Sequence, residues 1–353
     1  MSIVGTARSY AHLAPTIALF AGFVFDIFTL NRPDALFENI VISGYLIISA
    51  LAIVAFQTNF FNTHERARLT LLTVLQFSFG NLASALMVLY ARSGTFTGSL
   101  IFIGLLGALF LGNELLKDRY ARNTLRVSLW YFLLLTYMAL VVPILVNEIG
   151  VLAFATSIFF ALVVMSLFIR ILALVAGMPR DEYAQHIRIS VITITVIFGT
   201  LYAANLIPPV PLALKQIGIY HSIERRGLEY EVTYEKPAWF EFWRDTNSTY
   251  HFDASGTAYC MSSVFAPPRL ETEIWHRWEK YDQATDSWNT VSRTPFPIRG
   301  GRDAGYRGYT QTTQIDSGVW RCNVETKWGA LIGRTTFTAT PATPQTKIPT
   351  DAI

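Results

Sequence analysis

Ile207-Pro208-Pro209-Val210-Pro211 divides this chain of 353 residues into two unlike parts. Three prolines in four positions cannot continue a regular helix, because proline lacks an amide donor and its ring clashes with the preceding turn. They hold the backbone extended instead. Upstream the sequence is almost wholly apolar; downstream it is polar, aromatic and strand-like. The mean hydropathy of +0.35 is therefore an average of two environments, one of lipid and one of water.

Upstream, seven apolar stretches stand between charged or turn residues: 13–30, 36–56, 69–90, 97–112, 125–146, 150–176 and 187–207. A membrane crossing takes roughly 20 mostly apolar residues, so about seven spans are expected. The residues before the first carry only Arg8 as a basic group and no clear cleavage site, so a removed signal peptide is not expected. Lys and Arg in short loops set orientation. Arg8, Arg66, Arg68, Lys117, Arg119, Arg122, Arg126, Arg170, Arg180 and Arg188 make ten on one side, against Arg32 and Arg92, two on the other. The expected topology has a cytoplasmic N-terminus and an external C-terminal domain, periplasmic if the chain sits in a bacterial inner membrane.

Ionisable residues inside the spans are sparse. Asp26 lies near the outer end of the first stretch, and two readings stand: an interfacial carboxylate, or a proton or cation site. Gln76 and Asn81, with Ser78, Gly80, Ala83, Ser84 and Ala85, read as a close helix interface, since small residues let backbones approach and amides bond across. Pro143 is expected to kink its span. The basic stretch 113–126 is either an ordinary cytoplasmic loop or a short helix on the headgroups.

Residues 208–227 read as a proline-rich juxtamembrane linker, or from Leu212 as the start of the outer domain, 228–340 as an extracytoplasmic β-domain and 341–353 as a loose tail. Runs rich in Val, Ile, Thr, Tyr, Phe and Trp fall at 229–234, 249–252, 258–265, 271–281, 288–292, 306–312, 319–326 and 331–338. Short strands at this spacing predict an all-β, immunoglobulin-like sandwich. Alternation puts Ile274, His276 and Trp278 on one face, and Trp320, Cys322 and Val324 on another. Cys260 and Cys322 lie in early and late strands; they are either an inter-sheet disulfide or two buried thiols.

Three stretches combine into a recognisable pattern: Ala258–Pro267 with Ile274-Trp275-His276-Arg277-Trp278; Ile298–Thr310, reading IRGGRDAGYRGYT; and Ser317–Val324 followed by Gly333-Arg334-Thr335-Thr336-Phe337. This pattern resembles the bacterial DUF2914 domain, in the version fused to a multi-pass membrane region. The resemblance implies a β-sandwich and brings no activity or catalytic residue with it.

The glycine–arginine cluster is the densest unusual feature. Arg299, Arg302 and Arg307 offer planar donors for carboxylate or phosphate. Tyr306, Tyr309, Trp278 and His276 are the neighbouring aromatic and imidazole candidates for a ligand site. The alternative reading is structural, a bulged hairpin with arginines stacked on aromatics. No phosphate loop, dinucleotide fingerprint, nucleophile elbow or zinc spacing occurs. No cofactor, metal or catalytic residue is assigned, and a net charge of +3 does not imply nucleic acid. The expected partners are the bilayer and an envelope glycan, lipid or protein. A transporter or flippase-like protein with an accessory domain is the alternative, its cavity lined by Asp26, Gln76, Asn81, Glu114, Asn147, Glu148 and Asn205. An envelope enzyme is the third.

Overall fold

The computed structural model describes residues 23–24, 26–30, 32–58, 64–93, 96–115, 123–177, 180–227, 229–241, 243–253, 256–342 and 350–352. The chain forms two compact units whose main division falls between Ile207 and Pro208.

The first unit is helical: α1 (Leu36–Ala55), α2 (Glu65–Ala91), α3 (Phe96–Leu115), α4 (Asn123–Val146), α5 (Val151–Ala176) and α6 (Arg180–Ala203). Among the described residues four helices, α1, α2, α4 and α5, are long and apolar enough to cross a membrane. The shorter apolar stretches Leu100–Leu109 and Ile187–Ala203 lie in α3 and α6. Most of the first expected span, with Arg8, lies outside the described residues, as do Lys117, Arg119 and Arg122 of the basic loop.

α4 is the central helix: 61% of its apolar window is buried, against 28% for α1. Its polar side chains reach its neighbours. Trp130 Nε1 donates to the Leu46 carbonyl at 3.0 Å, Tyr137 Oη meets Ser43 Oγ at 3.0 Å, and Tyr131 Oη meets Thr195 Oγ1 at 2.7 Å. Tyr90 Oη of α2 donates to the Thr136 carbonyl at 2.8 Å. In an apolar medium such groups have no water to turn to, so each bond fixes a helix pair. Leu152, Phe159, Phe160, Leu167 and Leu174 of α5 stay exposed, as do Ile189, Ile192, Val196 and Ile197 of α6. Surfaces this apolar are unsuited to water and suited to lipid.

The second unit is all-β: β1 (Ala213–Tyr220), β2 (Ser222–Arg226), β3 (Glu229–Thr233), β4 (Thr249–Phe252), β5 (Ala258–Phe265), β6 (Glu271–Asp282), β7 (Ser287–Arg299), β8 (Tyr306–Thr312), β9 (Gly318–Thr326), β10 (Leu331–Pro341) and β11 (Thr350–Ala352). Two corrections to the sequence reading follow. Residues 213–226, read as linker, are strands β1 and β2; and Thr350–Ala352, read as loose tail, pairs antiparallel with β3.

The strands form sheets of order β1-β5-β8, β4-β10-β9-β6-β7 and β11-β3-β2. The main core lies between the first two. It packs Ile219, Ala258 and Cys260 against Tyr250, Trp278, Trp320, Cys322, Phe337 and Ala339. A disulfide joins Cys260 of β5 to Cys322 of β9, 62 residues apart in sequence. A second, smaller core packs Met261 of β5 against Tyr220, Ile223 and Val232. β5 is thus covered on both faces, Cys260 toward one core and Met261 toward the other. That explains why its sequence, AYCMSSVF, is a nearly unbroken apolar and small-residue run.

The other face of the five-stranded sheet carries an ionic ladder. Arg321 and Asn323 donate to Glu279, and Arg277 and Arg293 pair with Glu325 at 3.0 and 2.6 Å. Arg293 lies over the Trp275 ring at 4.4 Å and Arg321 over Trp288 at 4.0 Å. Arginine keeps its charge while stacking flat on an aromatic, so this layer shields two nearly buried carboxylates, Glu279 and Glu325.

Candidate functional site

The glycine–arginine turn is built by close approach of backbones. Gly300 N donates to the Leu270 carbonyl at 2.9 Å, and Gly301 N to Ala266 at 3.0 Å. A Cβ at Gly300 would lie 1.7 Å from the Pro267 carbonyl oxygen, so only glycine fits. Gly305 has φ +83°, and a Cβ there would meet Ser263 Oγ at 2.5 Å. These contacts seat the turn against β5 and launch β8 beside it, with Arg307 opposite Ser263 and Tyr306 opposite Val264.

Beside this turn lies a cavity of about 210 Å³ lined by Arg225, Tyr230, Arg302, Ala304, Gly305, Tyr306 and Arg307. Three arginines and no acidic residue are among its lining residues. The Arg302 guanidinium lies 5.4 Å from the centre of the Tyr306 ring, and Arg225 Nε donates to the Gly227 carbonyl at 3.2 Å. Arg307 Nε is buried without a hydrogen-bond partner. A buried donor left unmade is costly, and an anion seated in the cavity is the group suited to satisfy it.

Of the residues singled out from the sequence, Arg302, Arg307 and Tyr306 come together here. Tyr309 is near, its ring 6.2 Å from that of Tyr230. Arg299 is elsewhere, exposed and facing Glu271 at 3.4 Å. His276 and Trp278 are core residues, each 0% exposed. His276 bonds Ser262 Oγ at 2.7 Å through Nε2 and Thr310 Oγ1 at 3.0 Å through Nδ1, and burial pushes its pKa down to about 3. It is a neutral packing residue. One of its ring nitrogens and the sulfurs of Cys260 and Cys322 lie within 4.8 Å of one another, but the sulfurs are bonded to each other and both ring nitrogens are engaged. Sequence reading missed Arg225 and Tyr230. The signal was the arginine pair before Gly227, which takes φ +67° at the turn of the β2–β3 hairpin.

In the helical unit, Asp26 accepts a hydrogen bond from Ser84 Oγ of α2. Asn81 Nδ2 donates within its own helix, to the Phe77 carbonyl at 2.8 Å, rather than across an interface. Gln76 lies on α2, two residues before the buried Ser78. Asn147 and Asn205 follow the ends of α4 and α6 with φ of 56° and 55°, and Glu148 follows Asn147. The side chain of Glu114 is outside the described residues.

A second polar cluster organises the segment between β3 and β4. Glu235 Oε1 faces His221 Nε2 at 3.0 Å and accepts from His251 N at 2.7 Å, while its Oε2 faces His251 Nδ1 at 2.8 Å. Burial raises the carboxyl's affinity for protons, but the bonds from His221 and His251 outweigh it and hold the pKa below the ordinary 4.5. Because the folded value is depressed, the contribution is present above about pH 4.5 and is lost as the pH falls through the folded value. Glu235→Gln is therefore expected to destabilise the domain by about 1–2 kcal/mol at neutral pH. Chemical unfolding as a function of pH checks this: the gap between variant and wild type should close in acid.

A β-sandwich-like domain following apolar helices is thus the class that the structure defines. Residues 271–339, which run from β6 to β10 and include the glycine–arginine turn, match the family model "Protein of unknown function (DUF2914)", so the C-terminal region carries a DUF2914 segment. No curated protein matches the chain. Among solved structures, a β-glucosidase from Listeria innocua in complex with isofagomine aligns at 5% identity and a TM-score of 0.19, over 35% of this chain and 16% of that one. The alkylpurine DNA glycosylase AlkC of Pseudomonas fluorescens bound to DNA aligns at 10% identity and a TM-score of 0.20, over 86% and 99%. The chain spans about a sixth of the glucosidase, and neither likeness is close enough to carry an argument on fold or function.

Proposed function

We propose that the protein is an integral membrane protein of about seven spans that displays an immunoglobulin-like β-domain on the periplasmic side of a bacterial inner membrane. There it binds an anionic component of the envelope. The observation that carries this reading is the cavity with Arg225, Arg302 and Arg307 around it, no lining carboxylate and a buried, unpartnered Arg307 Nε. The excess of basic residues in alternate loops supports the orientation. At about 210 Å³ the cavity is smaller than a typical drug-sized site of about 300–1,000 Å³. It suits a phosphate- or carboxylate-bearing head, with the rest of the molecule lying outside.

Glycerol phosphate and glucuronate, titrated into the full chain in zwitterionic nanodiscs, test the reading. Arg302→Ala and Arg307→Ala are each expected to weaken binding by about 10- to 100-fold, the worth of one charged hydrogen-bonding group. Binding of both probes unchanged by both variants would make the cluster structural. A topology reporter fused after Ile353 that reads cytoplasmic would overturn the orientation.

A further inference from the structure

The β2–β3 hairpin sorts its side chains by face. Ile223 stands opposite Val232 and Arg225 opposite Tyr230, so these four share one side. Ile223 and Val232 pack with Met261 of β5 in the smaller core. Two residues further along, the same side delivers Arg225 and Tyr230 to the cavity. Glu224 and Glu231 alternate onto the opposite side, where Arg226 pairs with them at 3.9 and 2.5 Å. β8 is sorted in the same way. Arg307 and Tyr309 stand opposite Ser263 and Met261, on the face of the sheet that meets the hairpin. Glu224 and Glu231 are thus turned away from the cavity, and Asp303 of the glycine–arginine turn is exposed and does not line it.

The ground beside the cavity is tyrosine. The Tyr309 ring stands edge-on to Tyr230, with centres 6.2 Å apart and planes at 81°, and it lies 6.2 Å from the Tyr259 ring of β5. Tyr230 lines the cavity. Tyr309 follows two residues after Arg307, about 7 Å along the strand. Tyr230 and Tyr259 are half-buried and pack on the smaller core, which fixes where they stand. Tyr309 is 42% exposed. A tyrosine offers an apolar ring face with a hydroxyl at its rim. The complement of that surface is a pyranose, with C–H bonds over its face and hydroxyls around its edge. An acyl chain has no use for the phenol hydroxyls, and a bare anion has none for the rings. The cavity, at about 210 Å³, takes the charged group and leaves the rest of the ligand outside. Tyr309 is the exposed ring within reach there.

We propose that the ligand is an anionic saccharide, a sugar ring bearing a phosphate or a carboxylate. The anion is held by Arg225, Arg302 and Arg307, and the ring lies on Tyr309 and Tyr230. The inference rests on the anion-binding reading above and adds the sugar to it, and the test separates the two. Four probes are titrated into the full chain in zwitterionic nanodiscs: glucose 1-phosphate against glycerol phosphate, and glucuronate against glycerate. Each pair keeps the anion and adds or removes the ring. The probe with the ring should bind about 10-fold tighter or more in at least one pair, the worth of a stacked aromatic contact. The pair that shows the preference names the anion. Tyr309→Ala and, filling the same space without a ring, Tyr309→Leu should each abolish the preference and leave the ring-free probes within about 2-fold of wild type. Tyr309→Phe keeps the ring and should keep the preference. Equal affinity within both pairs overturns the saccharide and leaves the anion cavity standing. A preference that survives Tyr309→Ala and Tyr309→Leu overturns the tyrosine seat. Failure of all four probes to bind overturns the anion reading, and the saccharide with it.

Discussion

Replacing both Cys260 and Cys322 by alanine is expected to lower the stability of the β-domain by about 4 kcal/mol, the entropy of an open loop of this length in the unfolded chain. The bridge spans 62 residues and encloses all of β6, β7 and β8, with the glycine–arginine turn among them. Without it, the unfolded chain regains the freedom to separate β5 from β9, while the folded state loses only two sulfur contacts in the core. Denaturant unfolding of the full chain, followed by the emission of the core residues Trp278 and Trp320, measures the difference. Wild type under strong reductant should move to the midpoint of the variant. A loss below about 1 kcal/mol would mean that the two sheets hold each other without help.

The second large effect is expected at Glu279. Its carboxylate is 3% exposed and accepts from Arg321 and Asn323, with Arg277 at 3.3 Å. Removing it leaves a nearly buried guanidinium and an amide with no acceptor, which costs about 3–5 kcal/mol for a broken buried pair. Glu279→Ala should therefore approach the disulfide variant in severity. The double variant Glu279→Ala/Arg321→Ala should lose less than the sum of the single changes, because the second removes the charge that the first stranded. The pH dependence has a definite sign. Burial raises the affinity of Glu279 for a proton, but Arg321, Asn323 and Arg277 together hold the pKa below the ordinary 4.5. Its contribution is complete above that value and disappears as the pH falls through the folded one. Unfolding midpoints of the four proteins across the acid range measure both effects.

Much of the β-domain is legible in the sequence, and the residues show why. His276, Trp278, Trp320 and Cys322 alternate with charged neighbours, and period-two alternation fixes which face is buried. β5, β6, β8 and β9 are read within a residue or so at each end. β1 and β2 are not legible, because β1 carries a register shift between Leu214 and Gln216 that breaks the alternation, and β2 ends in exposed charge. β11 is three residues long and is defined by its partner β3, not by its own composition. The cavity is half legible. Arg302, Tyr306 and Arg307 announce themselves as a local motif, whereas Arg225 and Tyr230 reach it from a hairpin some 70 residues earlier in the sequence. Trp239 and Trp243 carry no signal of their own in the sequence: aromatic residues ordinarily mark a core, and only the fold shows these two exposed.

β5 is the shared wall of two rooms. On one side Cys260 holds the disulfide; on the other Met261 packs under the hairpin that supplies Arg225 and Tyr230. The same strand pairs through Ser263 with Arg307. One strand therefore carries both the covalent tie between the two larger sheets and the floor beneath the hairpin of Arg225 and Tyr230, so a substitution in β5 meets two cores at once.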